Sequence, residues 1–311
     1  MEQLPPVSFT LDEAEGFGDS VKVTLPAAGN LSKQQLLSWT PFIDWKAALK
    51  EHLSLQQSDK NHAFHDKTKQ YTLRSIDVQS ANWFGRSKLG FVKLEAIVRN
   101  DEDSKLPGVV LLRGGAVAVL MVLRPPQTKD ERYVVMTEQP RIPAGSLQFL
   151  EIPAGMLDGE THFSGTAAKE IEEETNMRIP KEELINMTEL ALKDSKVKDS
   201  KLRNAMYPSP GGCDEFIPIY LWEKELDRQT IEDLKGKLTG ERTQGEMIKL
   251  RVCDYAELWR EGARDAKTLA AWALYEGLSR ANILQPVLEK MKGSAASTPS
   301  KEIKEAKIEL S

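Results

Sequence analysis

Apolar and polar positions alternate in two different ways along the chain, and the change comes near residue 109. Before it, "SKQQLLSWTPFIDWKAALKEHLSL" (32–55) has helical spacing interrupted at Pro41, which turns Trp39, Phe42, Trp45 and Leu49 toward a core. "KQYTLRSIDVQSANWFG" (69–85) and "KLGFVKLEAIVRN" (88–100) alternate with period two, as half-buried strands joined through Gly85 to Ser87. The polar, turn-rich "NDEDSKLPG" (100–108) reads as a hairpin or a boundary. An N-terminal α+β unit over 1–108 is therefore expected.

From Val109 the runs become continuously apolar. "VVLLRGGAVAVLMVL" (109–123) and "RYVVMTEQPRI" (132–142) suit central strands, and "QFLEIPAG" (148–155) a short strand ending in a turn at Gly155. "EELINMTELAL" (182–192), "EFIPIYLWEKEL" (215–226) and "EMIKLRVCDYAEL" (246–258) supply further helices and strands. "DAKTLAAWALYEGLSRANILQPVLEKM" (265–291) is an amphipathic helical region, expected to pack through Leu269, Trp272, Ala273 and Tyr275 to Leu278. Strands and helices in this order predict a mixed α/β domain over 109–291, and the small polar residues from 292 to 311 a disordered tail.

Between the strand at 148–155 and the next elements lies "GMLDGETHFSGTAAKEIEEETNM" (155–177), with four glutamates in five positions. On a helix from Gly165, capped by Ser164 or Thr166, Glu170, Glu173 and Glu174 share an arc of about 100°. Glu172 points to solvent, and Ala167, Ala168 and Ile171 form an adjoining apolar stripe. Crowded carboxylates repel, and Lys169 offsets only part of that repulsion. A hard divalent cation is the natural missing partner, since Mg²⁺ or Mn²⁺ takes oxygen ligands from few carboxylates, waters and substrate phosphates. The competing reading is a solvated acidic helix face.

Composition narrows the classes. The chain has 311 residues and a net charge of -5, which argues against gripping a nucleic-acid backbone as its main work. Two cysteines and four histidines leave no basis for a disulfide framework or a structural zinc site. The apolar run "AVAVLMVL" (116–123) is too short to span a bilayer, and the acidic N-terminus lacks a signal pattern, so no membrane partner is expected. The expected setting is soluble and intracellular, cytoplasmic or organellar. No EF-hand loop is present for a calcium regulator.

The acidic segment resembles a Nudix box: glycine, five residues, glutamate, seven residues, then R-E-U-x-E-E-x-G-U with U aliphatic. Gly155 is the leading glycine, Lys169 stands for the arginine, and Glu170, Ile171, Glu173 and Glu174 match. Asn176 takes the closing glycine position and Met177 the last apolar one, while Thr161 replaces the first glutamate, with Glu160 one residue early. "RGGAVAVL", "TEQPRIPAG", "LEIPAGMLD" and "YPSPGGCDE" extend the resemblance to the ADP-ribose and ADP-sugar pyrophosphatase branch, nearest its plant ADP-sugar diphosphatases.

The resemblance implies a Nudix α/β/α sandwich with an N-terminal extension that builds a homodimer. It implies Mg²⁺-dependent hydrolysis of a nucleoside diphosphate sugar, an ADP-sugar, to AMP and a sugar phosphate, in a plastid if the chain is a processed plant protein. Metal ligands would be Glu170, Glu173, Glu174 and the Ala154 carbonyl, with Glu174 or Glu215 as base. For substrate the candidates are Arg141, Gly155, Gly211, Gly212 and Trp83, although Arg141 also fits a surface strand end, the glycines a plain turn and Trp83 ordinary packing. Rival expectations are hydrolysis of another nucleoside diphosphate derivative, such as NADH or a UDP-sugar, and a binding or scaffold module with weak turnover.

Overall fold

Capping and proline placement explain the first helices. The computed structural model describes residues 7–11, 17, 20–27, 29–126, 128, 130–157, 163–196, 202–240 and 247–297. Helix α1 (Lys33–Ser38) opens with a capping box between Ser32 and Gln35, and Trp39 then takes an extended conformation that ends it. Helix α2 (Thr40–Ser58) starts immediately, with Pro41 in its first turn, where a missing N–H costs nothing. Phe42 is fully buried, and Trp39, Trp45 and Leu49 pack partly buried against the same core.

These helices belong to the first of two units, which comprises 1–115 with 199–203 and 209–215. Its sheet has strands β1 (Ser8–Leu11), β2 (Val21–Thr24), β3 (Thr72–Phe84), β4 (Lys88–Arg99), β5 (Lys105–Leu106) and β6 (Val109–Leu112). The order is β1-β2-β3-β4-β5, with β6 also on β4. The β3–β4 hairpin closes at Phe84↔Lys88, and Gly85 supplies the left-handed φ of +59° that its turn needs.

The division falls after Gly115, not at 108. The run 109–123 is two strands: β6 pairs with β4 in the first unit, and Val109 and Leu111 remain 54% and 41% exposed. Gly114, at φ +77°, then turns the chain out of that sheet.

The second unit comprises 116–198, 204–208 and 216–311. Its central strand β7 (Ala116–Arg124) runs parallel to β12 (Ile219–Glu225) and antiparallel to β8 (Tyr133–Arg141). The sheet order is β11 (Ile185–Asn186), β12, β7, β8, β14 (Ile248–Asp254), β13 (Leu238–Thr239); β9 (Ser146–Glu151) pairs with β8 and β10 (Ala154–Met156) with β7. A strand covered on both faces reads as one apolar run, which explains "AVAVLMVL".

Val117, Val119, Met121 and Leu123 of β7 meet Ala167 and Ile171 of α3 (Phe163–Thr175) and Ile231 of α5 (Arg228–Asp233). Ala118, Leu120 and Val122 face the other way, toward Met187 of α4 (Met187–Leu192), Leu258 of α6 (Leu258–Glu261) and Ala271, Tyr275 and Leu278 of α7 (Ala266–Arg280). Helices thus cover both faces of a mixed sheet, an α/β/α sandwich.

Two helical expectations change. The region 265–291 is broken at Asn282, φ +54°, into α7 and α8 (Leu284–Ser297), and Ala273 is exposed because the buried seam runs through Thr268, Ala271, Tyr275 and Leu278. The tail expected from 292 is helical to Ser297; 298–311 lie outside the described residues.

Candidate functional site

Helix α3 starts at Phe163, so Ser164 and Thr166 sit inside it and are not its cap. Ala167 and Ile171, both fully buried, dock it on the sheet. The helix ends at Thr175, and Asn176, in the closing glycine position of the box, has a φ of +55°, the left-handed conformation that asparagine tolerates. Thr161 and Glu160 lie outside the described residues.

This docking turns one glutamate inward. Glu174 is 6% exposed, and among the described residues its two carboxylate oxygens each accept one hydrogen bond. Gln139 Nε2 donates to Oε1 and the Ala154 N–H to Oε2, both at 3.0 Å. Thr239 Oγ1 donates to the Glu174 carbonyl. Burial, with the charges of Glu151 and Glu170 nearby, pushes the carboxyl up to about 8 against those two donors. Both donors are neutral, so they orient the group without cancelling its charge.

Gly155 has a role that the sequence misassigned. It lies in extended β10, opposite Val117, and makes no turn there. An ideal Cβ on it would stand 1.8 Å from Glu170 Cδ and 1.9 and 2.3 Å from the carboxylate oxygens. The glycine leaves room for the Glu170 carboxylate beside the strand that carries Ala154. Glu173 forms an i,i+4 pair with Lys169 at 3.3 Å, and Glu172 is exposed as expected.

Arg141 is occupied within its own unit. Its Nε and Nη2 both reach Glu151 Oε1 at 2.7 Å, while Lys267 Nζ holds Glu151 Oε2 at 2.6 Å. Lys267 also pairs with Asp265 at 2.9 Å, and Asp265 caps α7 through Thr268. Two cations thereby compensate the two buried carboxylates. Thr268 Oγ1 accepts from the Ile152 N–H, tying α7 to the chain between β9 and β10.

The remaining candidates are in the first unit. Glu215 pairs with Arg113 Nη2 at 3.1 Å. Asp214 accepts from the N–H groups of Arg113 and Gly114 at 2.7 and 3.1 Å, and burial raises its carboxyl. Gly212 accepts from the Leu111 N–H and donates to Ser209, within a turn where neither Gly211 nor Gly212 needs a left-handed φ. Trp83 packs on the core and donates its indole N–H to Asn30, the packing alternative for that residue.

A comparison with protein families matches the NUDIX domain over residues 114–272, more than half of the chain. The chain belongs to the Nudix family. It is 40% identical over 215 residues to a protein of Arabidopsis thaliana called Nudix hydrolase 14, chloroplastic, covering 68% of this chain and 65% of that protein. It is 32% identical over 142 residues to an ADP-ribose pyrophosphatase of Bacillus subtilis (strain 168), covering 42% of this chain and 63% of that one. The chain thus spans just under two thirds of either relative's length. A solved structure of an ADP compounds hydrolase matches at a TM-score of 0.39 and 13% identity, over 68% of this chain and 98% of that one.

Within this Nudix domain, two residues of the site had no clear signal in the sequence. Gln139 sits in the same "EQPR" stretch as Arg141, but nothing local says that its amide reaches helix α3. Lys267 reads as a surface lysine of α7 until the buried Glu151 is found beside it. Among the described residues no group of three or more His, Cys, Asp or Glu is gathered into a metal cage. Mg²⁺ does not require one, because it binds through one or two carboxylates and keeps waters and substrate oxygens. Glu170 and Glu174, hard oxygen donors close enough to repel, fit that demand.

Proposed function

We propose that the chain is a Mg²⁺-dependent Nudix pyrophosphatase that hydrolyses ADP-sugars, ADP-glucose or ADP-ribose, to AMP and a sugar phosphate, with Mn²⁺ as a substitute. The observation that carries this reading is the buried, doubly braced Glu174 carboxylate beside Glu170, where the C-terminal half of α3 meets β10. Burying a carboxylate without a neutralising partner is costly, and a divalent cation removes that cost. An ADP-sugar substrate is supported by the similarity to an ADP-ribose pyrophosphatase and by the sequence resemblance, and a plastid by the similarity to a chloroplastic Nudix hydrolase.

Glu170, Glu174 and the Ala154 carbonyl would hold the cation, with Glu173 alongside. When bound, it neutralises diphosphate charge and lowers the pKa of a coordinated water. The chain does the rest. Gln139 and the Ala154 N–H hold Glu174 in one orientation, and Ile171 and Ala167 keep its helix docked. In the reaction one water oxygen bonds to phosphorus, the bridging P–O bond breaks with its electron pair going to the leaving phosphate oxygen, and the water proton passes to a protein carboxylate, for which Glu174 is the candidate within this unit. The first unit is proposed to form a homodimer, to be measured by sedimentation.

The test is product analysis on ADP-glucose beside ADP-ribose with Mg²⁺, for wild type and Glu174→Gln. AMP should appear with wild type and fall by roughly a hundredfold or more in the variant. No AMP from either substrate, or an unchanged rate in the variant, would remove the assignment.

A further inference from the structure

Gln139 lies on β8 between β14 and β9, at the register Gln139↔Phe149, and is 9% exposed. Its strand neighbours Val134, Val135 and Met136 are fully buried, so an apolar side chain would be the less costly choice for the position. Its amide nitrogen instead spans to Glu174 Oε1 at 3.0 Å, with the Thr137 hydroxyl at 3.5 Å. The other carboxylate oxygen is held by a main-chain N–H, which no side-chain substitution removes. The side-chain half of the brace therefore rests on Gln139.

A carboxylate has about four lone-pair positions. One donor on each oxygen fixes its plane and leaves further positions for a cation. An arginine or lysine at 139 would hold Glu174 as firmly but would neutralise it and compete with the cation. An amide orients without adding charge. We infer that Gln139 is a positioning residue that sets the Glu174 carboxylate for divalent-cation binding. This rests on the proposed function above. Partners of this kind, one contact removed from a metal, typically contribute about 10–100-fold in metal affinity.

The test uses the full chain, stripped of metal with chelator, and Mn²⁺ as the probe, its free concentration followed by electron paramagnetic resonance. Thermal unfolding of the same samples is measured alongside. Wild type is compared with Gln139→Leu, Glu174→Gln and Thr239→Val; the last removes the hydroxyl donated to the Glu174 carbonyl and leaves the carboxylate contacts intact. Gln139→Met, which keeps length without a donor, replaces Gln139→Leu if that variant does not fold.

Mn²⁺ affinity should fall roughly tenfold or more in the Gln139 variant and stay within about twofold in Thr239→Val, whatever their melting temperatures. An unchanged Mn²⁺ affinity in the Gln139 variant, or an equal loss in Thr239→Val, would overturn the inference. If wild type binds no Mn²⁺, or Glu174→Gln binds it equally well, the metal reading of the site fails instead.

Discussion

The Glu170 carboxylate stands where a side chain on Gly155 would have to be, 1.8 Å from an ideal Cβ at its carboxyl carbon. Gly155 keeps a negative φ in a strand, so conformational freedom is not the reason for a glycine there. The reason is the close approach of a carboxylate to β10. Because the clashing atoms end a flexible side chain, Gly155→Ala should fold with a melting temperature close to wild type. Glu170 should be displaced, and the Mg²⁺ concentration for half-maximal turnover should rise roughly tenfold or more. A metal titration of the rate checks this.

Metal-free stability should depend on pH through Glu174. Its carboxyl is raised from an ordinary 4.5 to about 8 in the fold, so the folded state binds the proton more tightly than the unfolded chain. The stabilisation is complete below about pH 4.5 and is lost as pH rises toward and through 8. Glu174→Gln should flatten that slope, and Mg²⁺ should restore wild-type stability at the alkaline end while releasing protons. Melting curves across this range, with chelator and with Mg²⁺, decide it.

Lys267 should matter more than its place on a helix suggests. Lys267→Met leaves Asp265 without its lysine and Glu151 with Arg141 alone, all within a largely buried cluster. A loss of about 3–5 kcal/mol is expected, because removing one partner strands buried charge. Denaturant unfolding measures it; a loss below about 1 kcal/mol would mean that Arg141 suffices.

Asn176 closes α3 at φ +55°. Asn176→Ala should cost about 1–2 kcal/mol, whereas Asn176→Gly should be close to neutral. Chemical denaturation of the two variants tests the contrast.

What sequence alone determined here is what period and local sterics dictate. The α3 glutamates, its Ala167–Ile171 stripe, the β3–β4 hairpin and the buried β7 run all follow from spacing within one element. Tertiary structure decided which carboxylate turns inward and what holds it. Gln139 and Thr239 reach Glu174 from 35 and 65 residues away, Lys267 reaches Glu151 across 116, and β6 joined the earlier sheet although its residues read like β7. A helix repeat places side chains relative to their own axis. Which strand supplies the facing donor depends on sheet order and register, and those are settled by packing over the whole unit.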